Sequence, residues 1–286
     1  MLNAYNITML GGSVYAADLY SSDSGVTMAA QTQIVLAGDA SVTAINVHSD
    51  AGGTIAACQV LTMRGHAAIV DVGGWGGDAG AIQSDHYVVM TENATIACHG
   101  THAASCGACV SSDVTMAGTA TIITHNTSAG VAGGSVGGCY PHQNIALHDS
   151  AAIDALGSTA NQTGGALFGH NISFAGTSQV TLRGSAAACG AAVSTINAQN
   201  RIGEGQIVVD AGARVMVVDA RELNSSEGCN VIVGHIQMEG SKHAGSVEQP
   251  CSSCASPVFP PSRRSTCRCQ PLAHGSGSPL VECCTH

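Results

Sequence analysis

Residues 34–42 read Ile34-Val35-Leu36-Ala37-Gly38-Asp39-Ala40-Ser41-Val42, and the pattern returns from Leu61 through Met63 and Gly65 to Ile69. Its central residue, the anchor, recurs at Met9, Leu36, Met63, Met90, Met116, Leu147, Phe174, Val209 and Met238, with spacings of 27, 27, 27, 26, 31, 27, 35 and 29. Two residues before each anchor stands Ile7, Ile34, Leu61, Val88, Val114, Ile145, Ile172, Ile207 or Ile236, aliphatic in every copy. Two residues after it stands glycine at Gly11, Gly38, Gly65, Gly118, Gly176 and Gly240, with Glu92, Asp149 and Ala211 as exceptions. A small residue follows at Ser13, Ala40, Ala67, Ala94, Ala120, Ala151, Ser178 and Ala213. An apolar one then stands at Tyr15, Val42, Ile69, Ile96, Ile122, Ile153, Val180 and Val215.

Each unit is thus two fragments with strand alternation joined at a residue that permits a bend. One such unit cannot bury its own apolar face. Stacking units at a ladder spacing of about 4.8 Å buries the anchors as a column and satisfies the backbone between coils. The expected fold is therefore all-β, a right-handed parallel β-helix of about eight coils over residues 1–240. A second glycine step at Gly25, Gly53, Gly80, Gly107, Gly134, Gly165 and Gly190 marks a further corner. The position three before the anchor is mostly polar (Asn6, Gln33, Tyr87, Asp113, Asn144, Asn171, Gln206, His235), which suits coil-to-coil amide bonds; Val60 breaks the row.

Composition agrees. The 36 glycines and 10% charged residues argue against helix, and 3% aromatic residues mean a core of small aliphatic side chains. With a net charge of -10 and one lysine, Lys242, there is no basic stripe for a nucleic acid. No apolar run is long enough for a membrane helix, and Met1 to Leu10 lack the features of a signal peptide. Because Asn6 already lies in the repeat register, the chain reads as a fragment of a longer β-helix.

The glycine step reads Gly164-Gly165-Ala166-Leu167 in full, and Gly52-Gly53-Thr54-Ile55, Gly133-Gly134-Ser135-Val136 and Ala79-Gly80-Ala81-Ile82 in weaker form. It resembles the GGA[ILV] repeat of chlamydial polymorphic outer-membrane proteins, within the pectin-lyase-like β-helix class. The companion FxxN motif is matched by Phe168-Gly169-His170-Asn171 and loosely by Met90 to Asn93. The resemblance covers residues 1–240 and implies a surface-displayed passenger used in adhesion.

Residues 241–286 form a Cys/Pro/Ser-rich tail, disulfide-linked or disordered, with Cys251, Cys254, Cys267, Cys269, Cys283 and Cys284. The spacing of Cys251, Cys254, Cys267 and Cys269 also suits tetrahedral zinc. The thirteen cysteines and six sequons, at Asn6, Asn93, Asn126, Asn161, Asn171 and Asn224, point to an extracellular or cell-surface glycoprotein with disulfides.

Three groups of residues suggest chemistry. Asp23, Asp50 and Asp78 precede corner glycines on consecutive coils, where aligned carboxylates could hold calcium or do acid/base work; the bland alternative is Asp-initiated turns, and apart from this candidate calcium no cofactor is expected. Cys98, His99, His102, Cys106, Cys109 and His125 have ligand types that suit zinc, although Cys106 and Cys189 also read as small residues filling a corner. Gly73-Gly74-Trp75-Gly76-Gly77-Asp78 resembles a single calcium-binding nonapeptide, or a glycine corner whose tryptophan stacks on a sugar or is buried. Arg64 and Arg183 are candidate lyase bases. An unbroken Thr ladder of the ice-binding kind is interrupted, because Thr8, Thr62 and Thr115 alternate with valine.

The functional expectation is a non-enzymatic β-helix that binds glycans or surface proteins. A polysaccharide lyase or glycoside hydrolase and a purely structural spacer are the alternatives. Neither the ligand nor the oligomeric state follows from the sequence.

Overall fold

The computed structural model describes residues 2–22, 25–137, 143–195, 204–223, 232–239 and 247–248. The chain is an all-β parallel solenoid of about seven turns. Among the described residues every strand pair is parallel, and the strands sort into sheets of 14, 9 and 8 strands, here called A, B and C. Among the described residues no helix is long and apolar enough to cross a membrane.

Each coil visits the sheets in the order A, B, C. In one coil these are Met28–Leu36, Ser41–Ile45 and His48–Ser49. The anchors form one continuous register in sheet A: Met9↔Leu36, Leu36↔Met63, Met63↔Met90, Met90↔Met116, Met116↔Leu147, Leu147↔Phe174, Phe174↔Val209 and Val209↔Met238. From Leu36 to Val209 the anchors are buried, and they share one core cluster with Ile69, Ile96, Ile122 and Ile153 on the inner face of sheet B. The insertions implied by the spacings of 31 and 35 overlap residues 138–142 and 196–203, outside the described segments. They leave the rows on either side in register.

The bend after the anchor is a left-handed residue in coil after coil. Gly38, Gly65, Gly118 and Gly176 have φ between 62° and 73°, and two of the three exceptions to glycine, Glu92 and Asp149, adopt φ of 62° and 56° at the same place. The third, Ala211, has no positive φ, and in the first coil Gly12, one residue further on, takes it at 81°. In the first coil this turn is one residue shorter. Val14, not Tyr15, therefore pairs with Val42, and Ser13 pairs with Ser41. Tyr15 points into solvent.

A second left-handed row joins sheet B to sheet C at Asp18, Asn46, Gly73, Gly100, Asn126, Gly157, Gly184 and Asp219. It mixes Asn, Asp and Gly, the residues that tolerate this conformation best. At the corner after sheet C, Cys106, Ala132, Thr163 and Cys189 bridge in sequence, so Gly107 aligns with Gly133, Gly164 and Gly190. The first glycine of each pair carries the positive φ, which moves Gly134 and Gly165 one place out of the expected row.

The strand after that corner runs on into the anchor strand, so this corner opens the first half of sheet A, which bends near the polar row. The register shifts there, between Ala4 and Asn6 and between Gln83 and Tyr87. Sheet C, with strands mostly of two residues, closes the coil. Its inward row is Ser49, Gly76, Ala103, Ala129, Ala160 and Ala187, and a Cβ on Gly76 would lie 1.6 Å from the Ala79 carbonyl oxygen. The ninth strand of sheet B, Val247–Glu248, pairs with Val215 and Met216 and so extends the register past residue 240. The six tail cysteines lie outside the described residues.

Candidate functional site

Because sheet C encloses only small side chains, its outward row stands close to the backbone ladder and inherits its regularity. That row reads Tyr20, His48, Trp75, His102, Ser128 and Thr159 on consecutive coils. The first four are rings in contact: Tyr20 and His48 have centroids 5.1 Å apart, His48 and Trp75 stack at 4.1 Å and 12°, and Trp75 and His102 stack at 6.2 Å. The indole of Trp75 is half-buried between two imidazoles, with His48 stacked closely on it and His102 farther off and tilted by 29°.

Polar groups border the ladder. The Asp50 carboxylate accepts a hydrogen bond from the Tyr20 hydroxyl through one oxygen and lies 2.8 Å from His48 Nε2 through the other. The Tyr20 bond, followed by that of His48, lowers the Asp50 pKa, and the same bond raises that of the exposed Tyr20 phenol. His102 Nδ1 lies 2.7 Å from Ser128 Oγ. Together these side chains make a strip of donors and acceptors at coil spacing.

Of the three-aspartate row, Asp50 and Asp78 do not stand in register. Gly76 pairs with Ser49, so Gly77 is beside Asp50 and Asp78 falls one place later. Asp78 accepts from Gln83 Nε2 at 3.4 Å, and Asp23 lies outside the described residues. The candidate zinc set also separates. Cys98 and Cys109 are joined by a disulfide, and Cys106 is disulfide-bonded as well, so neither Cys106 nor Cys109 offers a thiolate. Cys106 and Cys189 fill corners, as their spacing suggested, but as disulfide sulfurs. His102 belongs to sheet C, whereas His99 and His125 pair on sheet B with ring centroids 5.0 Å apart. Among the described residues no three His, Cys, Asp or Glu side chains converge as a metal site. Arg183 is held by both oxygens of Asp154 at 3.1 Å, and Arg64 is exposed.

No protein family, curated protein or solved structure matches the chain.

Polar residues also line the interior. Asp71 faces inward from sheet B and is almost fully buried. Its Oδ1 accepts the Gly74 amide at 3.0 Å, and Thr54 Oγ1 lies 2.8 Å from its Oδ2 and 3.1 Å from the Ala81 carbonyl oxygen. A Cβ on Gly74 would lie 2.1 Å from Asp71 Oδ1, so a side chain there would displace the carboxyl group. Burial pushes the Asp71 pKa up to about 7, against the lowering bonds from Thr54 and Gly74. One proton completes the network, because Asp71 can then donate to Thr54 while Thr54 donates to Ala81. Further along, Thr124, Thr127, Ser135 and Ser158 form a buried hydroxyl cluster, with Thr124 Oγ1 2.7 Å from Ser135 Oγ and Ser135 bonded to Ser158.

This inner network and the ring ladder were missed in the sequence. The ladder had a signal, since Tyr20, His48, Trp75 and His102 are 28, 27 and 27 residues apart. Five of the six sequon asparagines fall in described segments, and all five are exposed: Asn6 and Asn171 in sheet A, Asn93 and Asn126 at turns, and Asn161 just after a sheet C strand. The amide row expected in sheet A is partly realised as Asn171 Nδ2 donating to Asn144 Oδ1 at 3.0 Å.

Proposed function

We propose that this protein is a non-enzymatic, extracellular or cell-surface β-solenoid that binds an extended glycan or protein surface through sheet C. The observation that carries the reading is the strip Tyr20, Asp50, His48, Trp75, His102 and Ser128, which repeats hydrogen-bonding edges along the solenoid axis. A polymer laid along it would make many weak contacts whose combined affinity exceeds any one of them. Imidazoles, a phenol and a carboxylate suit hydroxyl-rich chains, and Asp50 favours neutral or cationic polymers over uronates. The interior disulfide, the exposed sequons and the glycine-step resemblance to chlamydial polymorphic outer-membrane proteins support a surface location and an adhesive role.

The test is binding of the whole chain to a panel of neutral, acidic and amino-sugar polysaccharides, compared with His48→Ala and Asp50→Ala. Saturable binding lost in both variants supports the reading. New reducing or unsaturated ends released with calcium would favour the lyase or hydrolase alternative, and no binding to any polymer or surface protein would leave the spacer.

A further inference from the structure

Sheet B has an outer face as regular as that of sheet C, but of a different character. Its eight strands from Ser13–Ala17 to Arg214–Val218 each turn three residues outward. In a chain of net charge -10, only three of those positions are charged: Asp154 and Arg183, paired to each other, and Arg214 near one end. Apart from His99, His125 and Gln179 the rest are small, apolar or hydroxyl-bearing residues, with Ile45, Val70, Val72, Ala97, Ile123 and Leu156 in the central coils. Charge depletion at the centre of a flat patch is the compositional mark of an interface core. At about 4.8 Å per strand and 3.3 Å per residue the face covers about 600 Å², so two copies would bury about 1,200 Å², the lower end of specific interfaces.

One row of this face reads Ala17, Ile45, Val72, His99, His125, Leu156, Arg183, Val218. The histidines are its two middle members, in direct register with rings 5.0 Å apart. Two imidazoles are half of a tetrahedral set for zinc or a similar borderline ion. The same chain brings no third His, Cys, Asp or Glu to them among the described residues. A two-fold axis running along the strands, between the two histidine coils, would set His99 of each copy opposite His125 of the other and Val72 opposite Leu156. The site is then completed by symmetry.

We propose that the outer face of sheet B docks a second copy of this chain, with one divalent transition-metal ion, zinc being the best fit, held by His99 and His125 of both copies. The ion supplies fixed geometry, and the charge-poor face supplies buried area around it.

The test is the solution mass of the full chain, by light scattering or sedimentation, in zinc and in chelator. The expected result is twice the chain mass in zinc, reverting to single mass in chelator. His99→Ala, His125→Ala and Val72→Glu should each remain monomeric in zinc with an unchanged far-ultraviolet circular dichroism spectrum. A wild-type chain that stays monomeric in zinc, or a zinc-induced dimer that both histidine variants still form, overturns the proposal. Because these residues lie off sheet C, the result is independent of the polysaccharide panel.

Discussion

Cys98 and Cys109 are bonded across the interior of one coil, and the equivalent positions one coil on, Thr124 and Ser135, are bridged by hydroxyls 2.7 Å apart. The equivalence is set by register: Cys98 pairs with Thr124, and the Cys109 amide donates to the Ser135 carbonyl. The same gap is thus closed covalently in one coil and by a hydrogen bond in the next. Thr124→Cys with Ser135→Cys should form a new disulfide, because the register repeats one coil on the positions at which Cys98 and Cys109, with Cα atoms 5.7 Å apart, are bonded. Closing a loop of this length should raise the unfolding free energy by about 3 kcal/mol. Thiol titration and denaturant unfolding check this; free thiols at both positions would refute it.

Asp71 makes stability depend on pH in the direction opposite to a salt-bridged carboxylate. Its folded pKa, about 7, lies above the ordinary value of 3.8. Between these values the folded state holds a proton that the unfolded state has lost, so stability falls as pH rises from about 4 to about 7 and then levels off. In Asp71→Asn the amide can donate to Thr54 while its oxygen accepts from Gly74, which reproduces the protonated network. Melting temperatures from pH 4 to 8 should therefore fall more steeply in the wild type than in Asp71→Asn, and the variant should be the more stable at pH 8. Parallel curves would show that Asp71 does not carry the dependence.

The left-handed turn after the anchor tolerates a side chain unequally from coil to coil. Gly65 has φ of 73°, and a Cβ there would stand 2.9 Å from the Gly38 amide nitrogen. Gly65→Ala should cost about 1–2 kcal/mol in backbone strain alone, with the close contact adding to it. Glu92 pays that strain already, so Glu92→Gly should leave stability unchanged or slightly raised. Urea unfolding of the two variants measures the contrast, and an equal loss in both would contradict it.

If the chain is secreted, its exposed sequons should carry sugar. Expression through a eukaryotic secretory pathway should give a protein whose mass falls on glycosidase treatment. Asn93→Gln or Asn171→Gln should each remove one glycan without altering the fold, since both asparagines lie on the surface. Intact mass spectrometry reads the result, and an unmodified secreted chain would count against the glycoprotein reading.

The anchor column was legible because burial imposes the same demand on each coil: an aliphatic residue, a spacer, a large apolar residue. All eight steps from Met9 to Met238 pair as their spacings predict. Tyr15 was misplaced because Gly11 and Gly12 shorten one turn, and a single-residue change moves every later side chain to the other face. Sheet C was missed because two-residue strands show no strand alternation, and only the coil-to-coil spacing of its outward row marked it. The Asp row failed for a related reason: Asp50 and Asp78 are each near a glycine, but one residue separates being near a corner from being stacked on it. The disulfide between Cys98 and Cys109 could not be told from ligand spacing, because both close a short loop.

In-register stacking also decides how the molecule would yield to tension. Each coil is held mainly by its two neighbours, so a chain pulled from its ends should peel one coil at a time, each releasing about 27 residues, or roughly 90 Å of extended chain. The coil closed by Cys98 and Cys109 must release less, because the 11-residue span between them stays looped under load and withholds about 37 Å. In a force trace that coil would be a shortened step, and the disulfide-bonded Cys106 and Cys189 would shorten others in the same way, so cross-links mark positions along the ladder.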